Sequence, residues 1–280
     1  MKDRLERRTR VLFGPSRDRT CGEGTSGPKS SPLPDLGPDV YARWRASGIG
    51  AITEHLQRRL ILALVGDVGC RRVLDVGCGD GDLAVELWRR GAAVTGIDAS
   101  SEMIEAASAR AKREGADIVF VTGEAARVPF APECFDVVVA VTILCFVSNP
   151  VPVFQEIARV LRPVGVLVIG ELGKWSLWAV ARRIRAWLGS RLWRRGRFRT
   201  ARELRLLASR AGLVPGPVHG AIYYPRWQRA ARVLARHDTA FSRLTTLGAA
   251  FLALSAVKRG KAELSRQAAA PLRGCVEQSG

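Results

Sequence analysis

Residues 73–82 read Val-Leu-Asp-Val-Gly-Cys-Gly-Asp-Gly-Asp, a short apolar strand that ends in a carboxylate and continues into three glycines at alternate positions. An apolar helical pattern follows from Leu83. Glycine adopts backbone angles that strain other residues, and its missing side chain lets a ligand approach the main chain. A strand, a glycine loop and a helix in this order are typical of nucleotide binding. We therefore expect free backbone N–H groups of the loop to face a ligand.

The spacing of the glycines distinguishes between kinds of nucleotide. A dinucleotide fingerprint requires Gly-x-Gly-x-x-Gly, because its third glycine allows close packing of the helix whose N-terminus receives a pyrophosphate. Here that position is Asp82, whose carboxylate would lie near two phosphate charges. The sequence therefore argues against a pyrophosphate ligand.

A second predicted strand, residues 93–97, ends in Asp98, which lies 21 positions after Gly77. An acidic side chain at the tip of this strand can accept hydrogen bonds from both hydroxyls of a ribose. This position alone does not separate NAD from other adenosine ligands.

Further motifs follow in order at residues 119–125 (VFVTGEA), 128–130 (VPF), 135–141 (FDVVVAV) and 156–163 (EIARVLRP). With the glycine loop, they resemble class I S-adenosylmethionine-dependent methyltransferases over residues 40–260, and most closely the small-molecule branch that includes the ubiquinone and menaquinone methyltransferases. The resemblance implies a Rossmann-like, doubly wound α/β fold: a mostly parallel seven-stranded sheet with helices on both faces and a helical lid after the fifth strand. It also implies S-adenosyl-L-methionine as cofactor and a small-molecule methyl acceptor, which we expect to be apolar or lipid-like.

The same resemblance implies which residues contact the cofactor. Asp98 would bind the ribose, Glu124 and Ala125 the adenine edge, and Tyr41 would fold over the cofactor together with Trp44. Packing of Trp44 in the core explains that residue equally well. The implied contacts are Tyr41, Asp75, Gly77, Cys78, Gly79, Gly81, Asp98, Ala99, Met103, Glu124, Ala125 and Val141.

No catalytic base can be assigned from the sequence. The related branch often has Leu-His-His after the fourth strand, where this chain has residues 142–146, Thr-Ile-Leu-Cys-Phe. Glu171 at the end of the fifth strand, and Tyr223 or Tyr224, are better placed than the three histidines, because ligands of open α/β sheets bind at that edge.

Two other functions stay open beside methyl transfer. A non-catalytic binding or regulatory protein on this fold is consistent with the missing histidines. An NAD(P)-dependent oxidoreductase is disfavoured by Asp82 and by the segment around Glu124. The six cysteines fall at no metal-ligand spacing, so we expect no metal site.

Charge is concentrated in the last third of the chain. The net charge is +18, and residues 171–280 contain 22 of the 44 Lys and Arg but only 5 of the 26 Asp and Glu. Residues 174–199, the lid segment, have nine basic residues, no acidic ones and four of the seven tryptophans. A helical wheel separates Arg182, Arg183 and Arg185 from an apolar stripe, which consists of Leu177, Val180, Ala181, Ile184, Trp187 and Leu188.

Three interpretations compete for the lid segment: a cover over the acceptor, an interfacial helix on anionic lipid, and a nucleic-acid patch. A cover is the usual form of this insertion in the family, and tryptophan beside arginine favours lipid over nucleic acid. We therefore predict a small-molecule acceptor, transient contact with anionic membrane through residues 174–199, and no nucleic-acid partner.

The rest of the chain has a simple predicted organisation. Residues 1–39 are expected to be a disordered leader, residues 40–260 the methyltransferase domain, and residues 261–280 a tail. Apolar residues at helical spacing predict one helix over residues 41–65. Neither a transmembrane stretch nor a secretory segment is recognisable, so we expect a cytoplasmic protein with peripheral membrane contact.

Overall fold

The computed structural model describes residues 37–260 and contains a seven-stranded sheet in the order β3-β2-β1-β4-β5-β7-β6. Strands β1 to β5 run parallel, whereas β7 is antiparallel to both β5 and β6. The strands are Arg72–Val76 (β1), Ala93–Asp98 (β2), Val119–Thr122 (β3), Phe135–Val141 (β4), Leu161–Leu172 (β5), Leu213–Ala221 (β6) and Phe251–Lys258 (β7). The predicted fold class is confirmed. Residues 1–36 of the predicted leader and the predicted tail lie outside the described residues.

The predicted single helix over residues 41–65 is wrong, because two helices meet at Ser47. Ser47 has an extended backbone, and its hydroxyl accepts a hydrogen bond from Gly50 N at 3.1 Å, so it is the N-cap of the second helix. The helices are Pro38–Ala46 (α1), Gly48–Val65 (α2), Asp82–Arg89 (α3), Ser101–Arg113 (α4), Val151–Val160 (α5), Leu177–Trp187 (α6), Arg191–Arg195 (α7), Ala201–Arg210 (α8), Gln228–Leu234 (α9) and Asp238–Leu244 (α10), with a 3-10 turn at Ala235–His237.

Apolar clusters lie on both faces of the sheet. One includes Phe154 of α5 and Leu204 of α8, and the other includes Ile61 of α2 and Leu87 of α3. Residues 73–76 of β1 are all buried, as expected for a central parallel strand that is covered on both faces. This packing fixes the carboxyl ends of the central strands.

The carboxyl ends of β1 to β5 meet at one edge of the sheet, where open α/β folds bind their ligands. The glycine loop follows β1, Asp98 ends β2, residues 123–125 follow β3, and residues 142–146 follow β4. The lid segment, with α6 and α7, follows β5 at the same edge. Within residues 37–260, no helix is both long and apolar enough to span a membrane.

Candidate cofactor and acceptor site

The backbone of the glycine loop is held by the end of β2. The N–H groups of Gly77 and Cys78 both donate to the Ile97 carbonyl, at 2.7 and 3.1 Å. The N–H group of Gly79 donates to Asp98 Oδ2 at 2.9 Å. The expectation that these three N–H groups are free for a ligand is therefore wrong. A pyrophosphate would find no row of free donors on these residues.

Gly79 nevertheless leaves open space above the loop. Its φ is +54°, and a Cβ atom at this position would meet no protein atom within 4 Å. Gly77 differs, because a Cβ atom there would lie 2.1 Å from Ile143 Cγ2. Ile143, from the loop after β4, thus covers Gly77 while the face of Gly79 stays accessible.

Asp75 places a buried carboxylate next to this loop. Its side-chain oxygen Oδ2 is buried and has no hydrogen-bond partner in the described part of the chain. Burial, and then the charge of Asp98, raise the pKa of Asp75 to about 7. A buried carboxylate is costly unless it meets a cation or a donor, so this oxygen is suited to a positively charged ligand group.

Asp98 is held rigidly at the end of β2. Its Oδ1 accepts a hydrogen bond from Ser100 N at 2.9 Å, while Oδ2 accepts the one from Gly79. Its carbonyl accepts a hydrogen bond from Gly123 N at 2.9 Å, which brings Glu124 and Ala125 to the same edge. Of the other predicted contacts, Gly81, the N-cap of α3, ends the loop and Val141 ends β4. Ala99 precedes α4, and Met103 lies in its first turn.

The acidic residues of the loop are neutralised by arginines from three helices. Arg45 and Arg110 contact Asp80, the latter at 2.6 Å, and Arg58 contacts Asp82. Arg110 also reaches Asp82 at 3.3 Å. The Asp82 carboxylate therefore repels phosphate less than the sequence predicted. The same ion pairs join α1, α2 and α4 to the glycine loop.

Tyr41 lies on α1, which these ion pairs hold against the loop. The Arg45 guanidinium lies 4.9 Å from the centre of the Tyr41 ring, and the Trp44 ring centre is 6.0 Å away. Burial, followed by the charge of Glu54, raises the pKa of Tyr41. The position is compatible with the predicted cover over the cofactor, which stays a prediction.

On the acceptor side, Glu171 has a free oxygen. The residue is fully buried, Oε1 accepts a hydrogen bond from Leu144 N at 2.6 Å, and Oε2 has no hydrogen-bond partner among residues 37–260. Burial raises the pKa of Glu171 to about 7. Its carboxylate can therefore take a proton near neutral pH.

The two tyrosine candidates are engaged elsewhere. The hydroxyl of Tyr224 is buried against Thr53 Oγ1 at 3.1 Å, and the hydroxyl of Tyr223 donates to the Thr245 carbonyl. Because both hydroxyls stabilise the fold, Glu171 is the better candidate for a base.

Helix α6 turns most of its apolar side chains towards solvent, whereas an amphipathic surface helix usually buries them. Its buried face consists of Trp178, Ala179 and Arg182, and the Trp178 indole donates to the Tyr224 carbonyl at 2.7 Å. Most of the predicted apolar stripe faces solvent: Leu177 is 64% exposed, Val180 50%, Ile184 51%, Trp187 86% and Leu188 71%. Arg182, which the helical wheel separates from the stripe, is only 9% exposed. The i, i+4 spacing of Trp178 and Arg182 is the only sequence signal for this buried pair.

Comparison with known proteins agrees with the geometry. Residues 74–169 match a family described as a methyltransferase domain. This segment, which contains the glycine loop and Asp98, is therefore similar to a methyltransferase domain. The chain is 35% identical over 152 residues to the ubiquinone/menaquinone biosynthesis C-methyltransferase of Bdellovibrio bacteriovorus, a match that covers 51% of this chain and 65% of that protein. It is 32% identical over 161 residues to the ubiquinone biosynthesis O-methyltransferase of Parvibaculum lavamentivorans, a match that covers 55% of this chain and 63% of that protein.

The matches thus span less than two thirds of each of these methyltransferases. One relative is named for transfer to carbon and the other for transfer to oxygen, so the acceptor atom does not follow from the similarity. Among solved structures, a SAM-dependent methyltransferase from Thermotoga maritima superimposes with a TM-score of 0.61 at 21% identity, over 79% of this chain and 95% of that chain. At this identity the similarity shows a shared fold alone.

Proposed function

We propose that the protein transfers the methyl group of S-adenosylmethionine to a small, apolar or lipid-like acceptor. The observation that carries this proposal is the buried Oδ2 of Asp75, which has no partner among the described residues and belongs to β1, four residues before Gly79 and its open face. An ammonium group would pair with this oxygen, whereas a phosphate would be repelled by it.

The residues of the domain fit the parts of this cofactor. Asp75 would bind the ammonium group, and Asp98, fixed by two backbone donors, would accept hydrogen bonds from the ribose hydroxyls. Glu124 and Ala125 would contact the adenine edge, and Tyr41 would cover the site. The remaining predicted contacts would form the walls of the site: Gly77, Cys78, Gly79, Gly81, Ala99, Met103 and Val141.

The bound cofactor supplies a methyl group attached to a sulfonium. A lone pair of the acceptor forms the new bond to the methyl carbon, and the electron pair of the broken C–S bond stays on sulfur. The main task of the protein is then to align the acceptor, an effect worth up to roughly 7–11 kcal/mol in ideal geometry. Glu171 would take the proton that the acceptor releases, because its Oε2 is free.

Calorimetric titration tests the cofactor. We expect S-adenosylmethionine and S-adenosylhomocysteine to bind at low micromolar to millimolar dissociation constants and NAD not to bind. Tight NAD binding without binding of S-adenosylhomocysteine would instead support an oxidoreductase. Incubation with methyl-labelled S-adenosylmethionine and a cell extract then separates an enzyme from a binding protein, since only an enzyme labels a product.

We further propose that α6 meets anionic membrane transiently, which makes the protein peripheral to the membrane. A helix that faces water normally turns its apolar side inwards, whereas α6 exposes its stripe beside the exposed Arg183 and Arg185. Apolar and aromatic side chains flanked by arginine suit the interface of an anionic bilayer. An apolar acceptor would then be collected at the membrane, and co-sedimentation with lipid vesicles tests this contact.

A further inference from the structure

Five buried polar atoms without a hydrogen-bond partner are concentrated on three residues near the lid segment. They are Oε2 of Glu171, Nε and Nη1 of Arg182, and Nε and Nη2 of Arg199. Only two other side-chain atoms in the described part of the chain share this property, one of them on Asp75. Buried polar atoms are nearly always paired in folded proteins, so such a concentration indicates a missing binding partner.

Backbone hydrogen bonds bring the chain segments of Glu171, Arg199 and Cys145 together, and Arg182 lies against the ring of Phe198, the residue before Arg199. Arg197 N donates to the Cys145 carbonyl at 2.8 Å, and Arg199 N donates to the Leu172 carbonyl at 2.9 Å, next to Glu171 in β5. The Cys145 thiol is fully buried; burial, and then the charge of Glu171, raise its pKa, whereas the charges of Arg182 and Arg199 lower it. We call these three charged residues the acceptor cluster.

The acceptor cluster adjoins the cofactor loop through the segment after β4. Ile143 packs over Gly77, the next residue, Leu144, donates its N–H to Glu171, and Cys145 follows. Three consecutive residues therefore connect the glycine loop to the acceptor cluster. A group bound there lies at the same edge of the sheet as the predicted cofactor.

Arg182 carries a buried charge that forms no ion pair with any residue in the range 37–260. Its guanidinium carbon lies 4.8 Å from the ring centre of Trp193, 5.3 Å from that of Trp178 and 6.0 Å from that of Phe198. Burial, followed by the nearby positive charge of Arg226, lowers the pKa of Arg182 to about 10. The rings fix the position of the guanidinium, but they leave two N–H-bearing nitrogens unpaired. Water could satisfy those donors, whereas only an anion also compensates the charge.

We propose that the acceptor cluster binds a methyl acceptor that carries a carboxylate. Arg182 and Arg199 donate hydrogen bonds to this carboxylate, and Glu171 accepts a hydrogen bond from the O–H or N–H group that is methylated. This inference rests on the proposed methyl transfer. It narrows the acceptor to an acid with an apolar body, because the guanidinium of Arg182 is surrounded by aromatic rings. Arginine is suited to carboxylates because its planar fork can donate two parallel hydrogen bonds.

Calorimetry on the full chain saturated with S-adenosylhomocysteine tests the inference. The probes are benzoate and decanoate at physiological salt. Each is compared with its amide, which has nearly the same shape as the acid but no negative charge. We expect both acids to bind about tenfold or more tightly than their amides. Arg182→Met should abolish this preference, whereas Arg191→Met, an exposed control on α7, should keep it.

Stability separates a binding role from a structural one. Because Arg182→Met removes an uncompensated buried cation, the ligand-free variant should unfold at the same temperature as the wild type or higher. Equal binding of acids and amides by the wild type, or a preference that survives in both Arg182→Met and Arg199→Gln, would overturn the inference. Failure to bind S-adenosylhomocysteine would instead refute the proposed function, so the two failures are distinguishable.

Discussion

Asp75 shows how one residue can be unfavourable for folding and suited to binding. Its carboxylate is buried at the end of a central strand, with Oδ2 unpartnered and Asp98 near enough to raise its pKa. Such a residue destabilises the ligand-free chain, because an ionised carboxylate is poorly solvated there. The cost falls when a cation binds, so ligand affinity and folding stability oppose each other at this position.

Asp75→Asn should therefore separate the two properties. We expect binding of S-adenosylhomocysteine to weaken by about 1–3 kcal/mol, because a charged acceptor is lost. The thermal midpoint of the ligand-free protein should stay the same or rise. Calorimetry and thermal denaturation measure the two effects, with the exposed Glu105→Gln on α4 as a charge-matched control. Unchanged affinity in the Asp75 variant would remove this residue from the cofactor site.

At the scale of elements, α6 is oriented by a few anchors. The Trp178 indole bonds to the Tyr224 carbonyl, and the Ser176 hydroxyl, the N-cap, accepts a hydrogen bond from Ala179 N at 3.1 Å. These contacts turn Trp178 and Arg182 inwards and leave the stripe, from Leu177 to Leu188, outside. The orientation of the helix thus follows specific contacts more than its average polarity.

Replacing the outer side chains of α6 should remove membrane binding without loss of fold. We expect Val180→Gln, Ile184→Gln and Trp187→Gln together to abolish co-sedimentation with anionic vesicles at low salt, because the apolar contact is lost. The thermal midpoint should change little, since all three side chains are at least half exposed. A control with Leu206→Gln and Val214→Gln changes exposed apolar residues of α8 and β6 instead.

The vesicle experiment also tests the role of charge. Arg183→Gln with Arg185→Gln should weaken binding, since each basic residue near an anionic surface contributes about 1 kcal/mol and is screened by salt. Lys112→Gln with Arg113→Gln removes the same charge from exposed positions on α4 and should have a smaller effect. Equal binding to neutral vesicles, or no binding to either kind, would exclude the anionic-membrane proposal. Stronger binding to RNA at the same salt would favour the nucleic-acid interpretation.

At the scale of the whole molecule, two buried carboxylates couple stability to pH. The pKa values of Asp75 and Glu171 are raised by burial to about 7, from ordinary values of 3.8 and 4.5. Between about pH 4 and pH 7 the folded protein therefore binds more protons at these sites than the unfolded chain does. Their contribution to stability is fully present below the ordinary values and is lost as the pH rises through 7.

We therefore expect the ligand-free protein to lose free energy of unfolding between pH 5 and pH 8. Urea denaturation at both values measures the loss, and Asp75→Asn combined with Glu171→Gln should reduce it. The pair Glu156 and Arg159 has the opposite effect on stability, because Arg159 lowers the pKa of Glu156. The stability that this pair contributes is lost as the pH falls, at lower pH than the range from pH 5 to pH 8. If the double variant loses as much free energy of unfolding between pH 5 and pH 8 as the wild type does, the pH dependence belongs to other groups.

The sequence alone determined the fold class and the edge of the sheet where the candidate site lies. Alternating strands and helices indicate a mostly parallel sheet, and the motif order assigns the glycine loop, Asp98 and residues 124–125 to its carboxyl edge. These features depend on local pattern and chain order, which can be read residue by residue. The capping serine at position 47 is local too, yet it was missed because the apolar spacing continues across it.

Only the tertiary structure decided which polar groups are satisfied. The N–H groups of the glycine loop are taken up by Ile97 and Asp98, and Asp82 is neutralised by Arg58 and Arg110, all distant in sequence from the groups they bind. The outward stripe of α6 and the burial of Arg182 likewise depend on neighbours in other elements. Hydrogen bonding and burial arise from the three-dimensional arrangement of distant segments, which a periodic pattern does not encode.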